Sequence, residues 1–443
     1  MGGSGRALLA TAAGIAAAAL AVAAGAAPVV NRPISSDTLS DAGAEHATEV
    51  EPTSAAWRST VVSAFQVGRY RDGAAQAIGF AVSTDAGVTW RHGLLPRLTT
   101  ATGGGFPRAS DPTAAYDAAH RRWLVASLVV APGESGIVVS RSLDGRRWGA
   151  PVVASLIGNG PHGIAHDKEW LACDNWASSR FRGHCYLSYS DVTGRRLVTR
   201  TSADGGRTWS DAVASPDNAG RRGVDSPAAP GAQPVVLPDG TVVIPFYDAE
   251  GMAAVRSTDG GATFSTEVPI APASFHPVGA LRAAPLPSAA IGANGQIVLA
   301  WPNCASPSCV ANDVVFTRSS DGLNWSAPKP VPLGPRDHVI PAISSDPTRR
   351  GRLALLSYTA TAAGLRPVFV SSRNGGGNWS AVVPLAPRPT PLSWLAAAGG
   401  AMVGDYVAVS FAAGRAISVF ALARRPSGGL RHEAIYAASL RVR

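Results

Sequence analysis

Ser202-Ala203-Asp204-Gly205-Gly206-Arg207-Thr208-Trp209 is the stretch that decides the fold, because it recurs along the chain. Full-length copies are Ser83-Thr84-Asp85-Ala86-Gly87-Val88-Thr89-Trp90 and Ser257-Thr258-Asp259-Gly260-Gly261-Ala262-Thr263-Phe264. Copies one residue shorter are Ser142-Leu143-Asp144-Gly145-Arg146-Arg147-Trp148 and Ser319-Ser320-Asp321-Gly322-Leu323-Asn324-Trp325. In Ser372-Arg373-Asn374-Gly375-Gly376-Gly377-Asn378-Trp379, Asn stands where the others have Asp. Positions 85, 144, 204, 259, 321 and 374 are 59, 60, 55, 62 and 53 residues apart, and such regular spacing marks a repeat architecture. The chemistry of each copy is that of a tight turn. The Asp or Asn oxygen accepts backbone N–H groups just ahead, Gly supplies the positive φ, and the aromatic ring folds back as an apolar plug. Each copy therefore closes a hairpin.

Working outward, an alternating or apolar run leads into every turn: Ala77 to Ser83, Gly136 to Ser142, Leu197 to Ser202, Ala253 to Ser257, Asp313 to Ser319 and Arg366 to Ser372. A second run precedes each of these: Thr60 to Phe65, Trp123 to Val130, Cys185 to Tyr189, Thr241 to Tyr247, Gln296 to Trp301 and Arg352 to Thr359. A third set lies further upstream, for example Gln233 to Leu237 before Pro238-Asp239-Gly240. With the strand that follows the turn, each repeat offers four short antiparallel strands, the content of one β-propeller blade. After the sixth turn come Tyr406 to Phe411, Ala416 to Ala423 and Ile435 to Val442, a further hairpin without a turn of this kind. The fold expected is all-β, a β-propeller of four-stranded antiparallel blades, with seven blades favoured and six as the alternative.

The Ser-x-Asp-x-Gly-x-x-Trp unit resembles the Asp-box of the sialidase-like, or BNR-repeat, propeller superfamily, and the resemblance covers roughly residues 50 to 440. It implies that the box joins the third and fourth strands of a blade, on the rim away from the ligand face. The box residues are then scaffold rather than catalytic. It also implies a ligand site over the central axis, built from the loops that lead into each innermost strand and those that link the middle strands. Those loops carry Arg108, Asp111, His162, His166, Asp167, Lys168, Asp225, Gln233, His276, Arg282, Asp337, His338, Asp405 and Tyr406.

A sialidase of this superfamily needs three Arg side chains on the substrate carboxylate, a Tyr nucleophile helped by Glu, and an Asp general acid/base. Paired guanidinium donors match a carboxylate, and a neutral Tyr suits an anionic sugar better than a carboxylate nucleophile would. Arg108, Arg282 and Arg336 supply a candidate triad, and Tyr406 with Asp111 the remaining chemistry. Two features depart from the pattern. The Arg-Ile-Pro signature is missing from the first blade, with only Phe106-Pro107-Arg108 as a reordered echo in the second. The matching Glu position carries Gln233, and Glu169 and Glu250 are the Glu residues this reading places near the axis. His166, Asp167, Lys168, Gln233, His338 and Asp405 are the candidate ligand-binding residues.

The chain has 443 residues, 46% hydrophobic and 16% charged, which excludes intrinsic disorder. Its 48 Gly and 34 Pro are spread evenly, as blade corners require. The net charge of +9 comes almost wholly from Arg, with Lys only at Lys168 and Lys329. No basic run interleaved with aromatics suggests nucleic acid. Residues 1–26 have the form of a secretory signal peptide, with Arg6, an Ala-rich apolar stretch and Ala24-Gly25-Ala26 at the cut; an uncleaved membrane anchor is the alternative. Residues 27–48 read as a linker and 49–443 as one domain. Four cysteines allow three connectivities. The local pairs Cys173 with Cys185 and Cys304 with Cys309 are expected, each stapling one loop in an oxidising compartment.

No cofactor is implied, although a structural calcium ion is a reading of Asp167-Lys168-Glu169-Trp170-Leu171-Ala172-Cys173-Asp174, and metal content is not fixed by the sequence. The alternative there is that Asp167 and Asp174 cap turns around Trp170. The expected protein is a secreted monomer, free of the membrane after signal cleavage, whose axial face binds an extracellular glycan or glycoconjugate. An exo-α-sialidase-type glycoside hydrolase is the alternative, and a structural or protein-docking propeller the third reading.

Overall fold

The computed structural model describes residues 1–3, 29–158, 164–221, 231–248, 251–304 and 309–443. Regular structure is almost wholly β, and the helical elements among the described residues are two three-residue 3-10 turns, Thr100–Thr102 and Leu392–Trp394. Strands fall into successive antiparallel groups in chain order. The first is Glu45–Trp57, Thr60–Arg69, Ala75–Ser83 and Arg91–Leu94, and the second Arg108–Asp117, Arg122–Ala131, Glu134–Ser142 and Val152–Gly158. Four separate four-stranded sheets follow, opening with His166–Cys173, Val235–Val236, Ser288–Ile291 and Asp337–Ser345. The last group is Ala408–Ala412, Arg415–Ala423 and Glu433–Arg441.

The expected strands match closely. The expected run Arg366 to Ser372 is Gly364–Ser372, and Ala416 to Ala423 is Arg415–Ala423. One strand carries no signal in the sequence: Asn31–Pro33 pairs antiparallel with Glu433–Arg441 and adds a fourth strand to the last group. The expected linker around it is packed, with Ile34 fully buried and Asp37 accepting the backbone N–H groups of Leu39 and Ala47.

Consecutive groups bury apolar faces against each other. Val62, Ile78, Val125 and Val138 join the first two groups, and Leu124, Ile137, Leu171 and Leu187 the second and third. The largest cluster joins Phe369 and Tyr358 to Ile417 and Phe420 of the last group and to Val61 and Phe65 of the first. Burying each such side chain contributes about 1.5–3 kcal/mol. The opening strands touch in the same order, and Ala408–Ala412 contacts both Asp337–Ser345 and Glu45–Trp57. This arrangement is consistent with a β-propeller.

Every repeated turn lies between the third and fourth strands of its group. In the Asp204 turn, Ser202 Oγ donates to Asp204 Oδ1, which also accepts the N–H groups of Arg207 and Thr208, while Thr208 Oγ1 donates to Oδ2. Asn374 makes the same bond to the N–H of Asn378. The glycines have a second purpose, which is close approach to the preceding group. Gly376 has φ +83°, and a Cβ there would lie 2.3 Å from the ring of Phe316. Arg141 and Arg318 fasten two of these contacts by donating to the carbonyls of Gly205 and Gly375. The first turn closes on the end of the chain in the same way, since Ser439 Oγ donates to the carbonyl of Ala86. Disulfides join Cys173 to Cys185, across the ends of paired strands, and Cys304 to Cys309.

Burial at the turn works to raise the Asp204 pKa, but the hydrogen bonds from Thr208, Ser202 and Arg207 outweigh it and hold it at about 2. Asp204→Ala is expected to lower stability by about 1 kcal/mol, the scale of a lost cap, and Asp204→Asn by less, as Asn374 already holds the sixth turn. The folded pKa is depressed, so the carboxylate's contribution is complete above the ordinary value and fades as pH falls toward about 2. Urea unfolding at pH 7 and pH 3 reads both effects, and equal losses for the two variants would contradict this account.

Candidate functional site

The opening strands share an irregularity that builds the centre of the molecule. Each of four contains a bulge: between Val50 and Thr53, Ser110 and Thr113, Asp167 and Trp170, and Val339 and Ala342. At each bulge a non-glycine residue takes left-handed backbone: Glu51 (φ 55°), Asp111 (φ 47°), Lys168 (φ 53°) and Ile340 (φ 53°). Such conformations cost of order 1–3 kcal/mol each and persist where the surroundings over-determine them. Here three of the four side chains belong to one buried polar cluster.

Lys168 stands at its middle. The ammonium donates to Asp405 and, at 3.3 Å, to Asp111 Oδ2, and lies 3.8 Å from Asp167 Oδ1. Arg282 arrives from a loop whose Leu281 pairs with Ala401. It grips Asp405 through both carboxylate oxygens, with Nε to Oδ1 at 2.8 Å and Nη2 to Oδ2 at 2.6 Å. Glu51 accepts from Gln66 Nε2 and from the backbone N–H of Asp405; Gln66 also donates to Ser110, which donates to Asp111. Arg69 donates to Gln66.

Electrostatics divide the five carboxyl groups. Burial is the largest influence on Asp405 and Asp111 and works to raise both, but Lys168, Arg282 and side-chain hydrogen bonds together outweigh it and hold both below the ordinary range. Burial, with Asp111 and Asp405 as unfavourable neighbours, pushes Glu51 up to about 8 and Asp167 up to about 6. Glu169 is the extreme case. It is 1% exposed, neither carboxyl oxygen has a hydrogen-bond partner among the described residues, and burial followed by Asp111 pushes it far above the usual range. Burial pulls the Lys168 ammonium down, but Asp111, Asp167 and Asp405 more than compensate and keep it charged.

Tyr406 is buried beside the cluster, and its hydroxyl donates to the carbonyl of Pro112 at 2.9 Å. Burial and the neighbouring Glu51 and Asp111 raise it well above the ordinary phenol. Trp170 meets the Tyr406 ring edge-on, with centroids 5.2 Å apart. Between them, Glu169, Gln233 and Asp405 lies a cavity of about 20 Å³, room for a single water. Gln233 Oε1 accepts the N–H of Ala289.

Of the residues singled out from the sequence, Asp111, Asp167, Lys168, Arg282 and Asp405 meet in this cluster, with Gln233 and Tyr406 at its edge. Arg108 and Arg336 do not join Arg282. Arg108 donates to Asp72 at 2.7 Å and lies over the Tyr70 ring, and Arg336 is exposed. His166 is buried against Ser155, His338 hydrogen-bonds Thr359 and Gly334, and His276 pairs with Asp337 at 3.2 Å. Asp174 caps its own turn, accepting from Trp176 and Ser179. Among the described residues no group of three or more His, Cys, Asp or Glu is arranged to hold a metal ion, and no helix is long and apolar enough to cross a membrane. His162, Asp225, Glu250 and nearly all of the leader lie outside the described residues.

The sequence reading did not place Glu51 at the centre. A signal exists in hindsight: Val50-Glu51-Pro52-Thr53 parallels Ser110-Asp111-Pro112-Thr113 and Val339-Ile340-Pro341-Ala342. This weaker repeat, out of phase with the turns, marks three of the four bulges, while the Lys168 bulge lacks its proline.

No family model and no curated protein matches this chain. Solved structures do resemble it. An ulvan lyase bound to -[GlcA(1-4)Rha3S]- gives a TM-score of 0.53 at 11% identity, over 90% of this chain and 96% of that one. The α-L-arabinanase of Penicillium chrysogenum complexed with arabinobiose gives 0.51 at 13% identity, over 94% and 99%. The leech intramolecular trans-sialidase gives 0.49 at 15% identity, over 71% of this chain and 65% of that one. This chain therefore spans less than two thirds of the leech enzyme's length. At these identities the likeness to the lyase and the arabinanase is one of fold.

Removing the central ammonium leaves the buried Asp111 without its ion-pair partner and Asp405 with Arg282 alone, so Lys168→Met is expected to cost about 3–5 kcal/mol at pH 7. Glu169→Gln is expected to act in the opposite direction. The folded pKa of Glu169 is raised, so the wild-type protein loses stability as pH rises above the ordinary carboxyl value, while the amide does not titrate. The variant should match wild type near pH 4 and exceed it by a growing margin above that, read by denaturant unfolding across pH. A constant difference would contradict the assignment of Glu169 as a buried neutral acid.

Proposed function

We propose that this protein is a secreted, seven-bladed, sialidase-like propeller that binds an extracellular glycan over the central cluster and does not hydrolyse sialosides. One observation carries the reading: the charged groups that converge at the centre are already satisfied by one another. Arg282 spends its bidentate face on Asp405, and Arg108 is held by Asp72. Arg108, Arg282 and Arg336 therefore do not converge as three open guanidinium groups for a substrate carboxylate. Tyr406 is buried, neutral and committed to Pro112, which is a poor state for a nucleophile. What the centre offers outward is a rigid floor: the half-buried ring of Trp170, the part-open Asp167 carboxylate and the flank of Arg282. An aromatic edge flanked by a few fixed polar groups suits sugar recognition.

Supporting the glycan class, two proteins of this fold hold saccharides in their solved structures, arabinobiose and a sulfated glucuronate–rhamnose unit. Supporting seven blades, the four-stranded groups follow one another in number and order, with Asn31–Pro33 completing the last. The Ala-rich leader and the two disulfides favour export.

A glycan array probed with the purified protein tests the reading, together with a fluorogenic sialoside. Binding to at least one glycan class is expected, weakened about tenfold or more by Trp170→Ala, with no release of the fluorophore. Absence of binding to every glycan would move the assignment to protein docking. Turnover that disappears in both Tyr406→Phe and Arg282→Ala would move it to a hydrolase.

A further inference from the structure

A second hollow lies at the opposite end of the sheets. In an antiparallel group, the turn from first to second strand and the turn from third to fourth share one end, away from the loops that lead into the first strand. At that end, between the first two groups, Trp57, Thr60, Thr84, Tyr116, Asp144 and Arg146 are among the residues lining a hollow of about 330 Å³, within the range of small-ligand pockets. Its wall is an aromatic ladder: Trp57 and Tyr116 have ring centroids 5.1 Å apart at 32°, and Tyr116 and Trp123 4.6 Å apart at 47°. Trp57 and Tyr116 are half-buried, so part of each ring is open to the hollow.

The turn at its rim differs from the others in one atom's partner. Asp85, Asp204 and Asp259 give their second carboxylate oxygen to Thr89, Thr208 and Thr263, and Asp321 gives its own to Asn324 Nδ2. In the second turn that place is held by Arg147, whose backbone alone bonds to the carboxylate, through Oδ1. The hydrogen bonds of Asp144 thus all fall on Oδ1, with the Arg147 charge acting on the carboxylate only through space, and Oδ2 makes no hydrogen bond among the described residues. Arg146 completes the rim, donating to Thr84 Oγ1 at 3.3 Å.

We infer that this hollow is a second carbohydrate-binding site, for a neutral oligosaccharide, independent of the central cluster. The aromatic faces bury the C–H side of a pyranose ring. The open carboxylate oxygen of Asp144 and the guanidinium of Arg146 take neighbouring hydroxyls by charge-assisted hydrogen bonds. One acid and one base at the rim leave the hollow without the net positive charge that would select a polyanion.

Soluble β-1,4-linked hexasaccharides of glucose, xylose and N-acetylglucosamine are the probes, titrated into the purified full chain by calorimetry and by tryptophan fluorescence. At least one is expected to bind with a change in tryptophan emission. Trp57→Ala should weaken it about tenfold or more. Trp57 also packs against the core between the first two groups, so Asp144→Asn is the second variant. Asn374 holds the longer form of this turn, and Asp144→Asn should therefore keep the protein folded with at most a small drop in the unfolding midpoint while still losing affinity. Trp170→Ala, in the central cluster, should leave this binding unchanged. The inference is overturned if none of the three probes binds, if affinity survives both Trp57→Ala and Asp144→Asn, or if it is lost in Trp170→Ala.

Discussion

One ammonium group, that of Lys168, is the element on which the centre depends. Asp111 comes from the second group, Lys168 and Asp167 from the third, Asp405 from the segment before the last, and Arg282 from a distant loop. Buried carboxylates at such separations repel unless cations lie between them. The ammonium thus does for the middle of the molecule what apolar packing does between the groups. It fixes several opening strands relative to one point. Its cost is visible in the backbone, where Lys168 and Asp111 are held in left-handed conformations that side-chain packing alone would not favour.

The repeated turn solves a different problem. Each group must sit close to the one before it without covering its neighbour's edge in bulk. Glycine allows the turn to touch the preceding sheet, and the Asp or Asn oxygen keeps the loop rigid enough for that contact to be specific. The two devices act on different strands of the same groups, one with charge at the bulges of the opening strands and one with hydrogen bonds at the turns between the third and fourth.

Most of the architecture was legible because it is repetitive. Six turns built from the same Ser, Asp or Asn, Gly and aromatic residues, at one of two spacings, fix where strands end, and alternation fixes where they run. Asn31–Pro33 escaped because three residues carry no periodic signal and their partner lies at the far end of the chain. At the centre, Lys168, Asp405 and Arg282 stood out as charges in lead-in loops, but their pairing was hidden. Arg108 and Arg282 look alike in sequence, and only the folded chain sets one beside Asp72 and the other beside Asp405. Glu51 was obscured for another reason: a bulge shifts the alternation, so a residue in the middle of a strand turns inward where the pattern predicts a flank.

The pairing of Asn31–Pro33 with Glu433–Arg441 bears on the order of events during synthesis. Ser35 accepts the backbone N–H of Ile435, a contact 400 residues apart in sequence. Loop closure over such a span is among the last entropic steps a chain can take, and this one must wait until the final sheet has left the ribosome. A chain cut short before Glu433 would leave Asn31–Pro33 without its partner strand, so the two ends of the fold are fastened only once synthesis is complete.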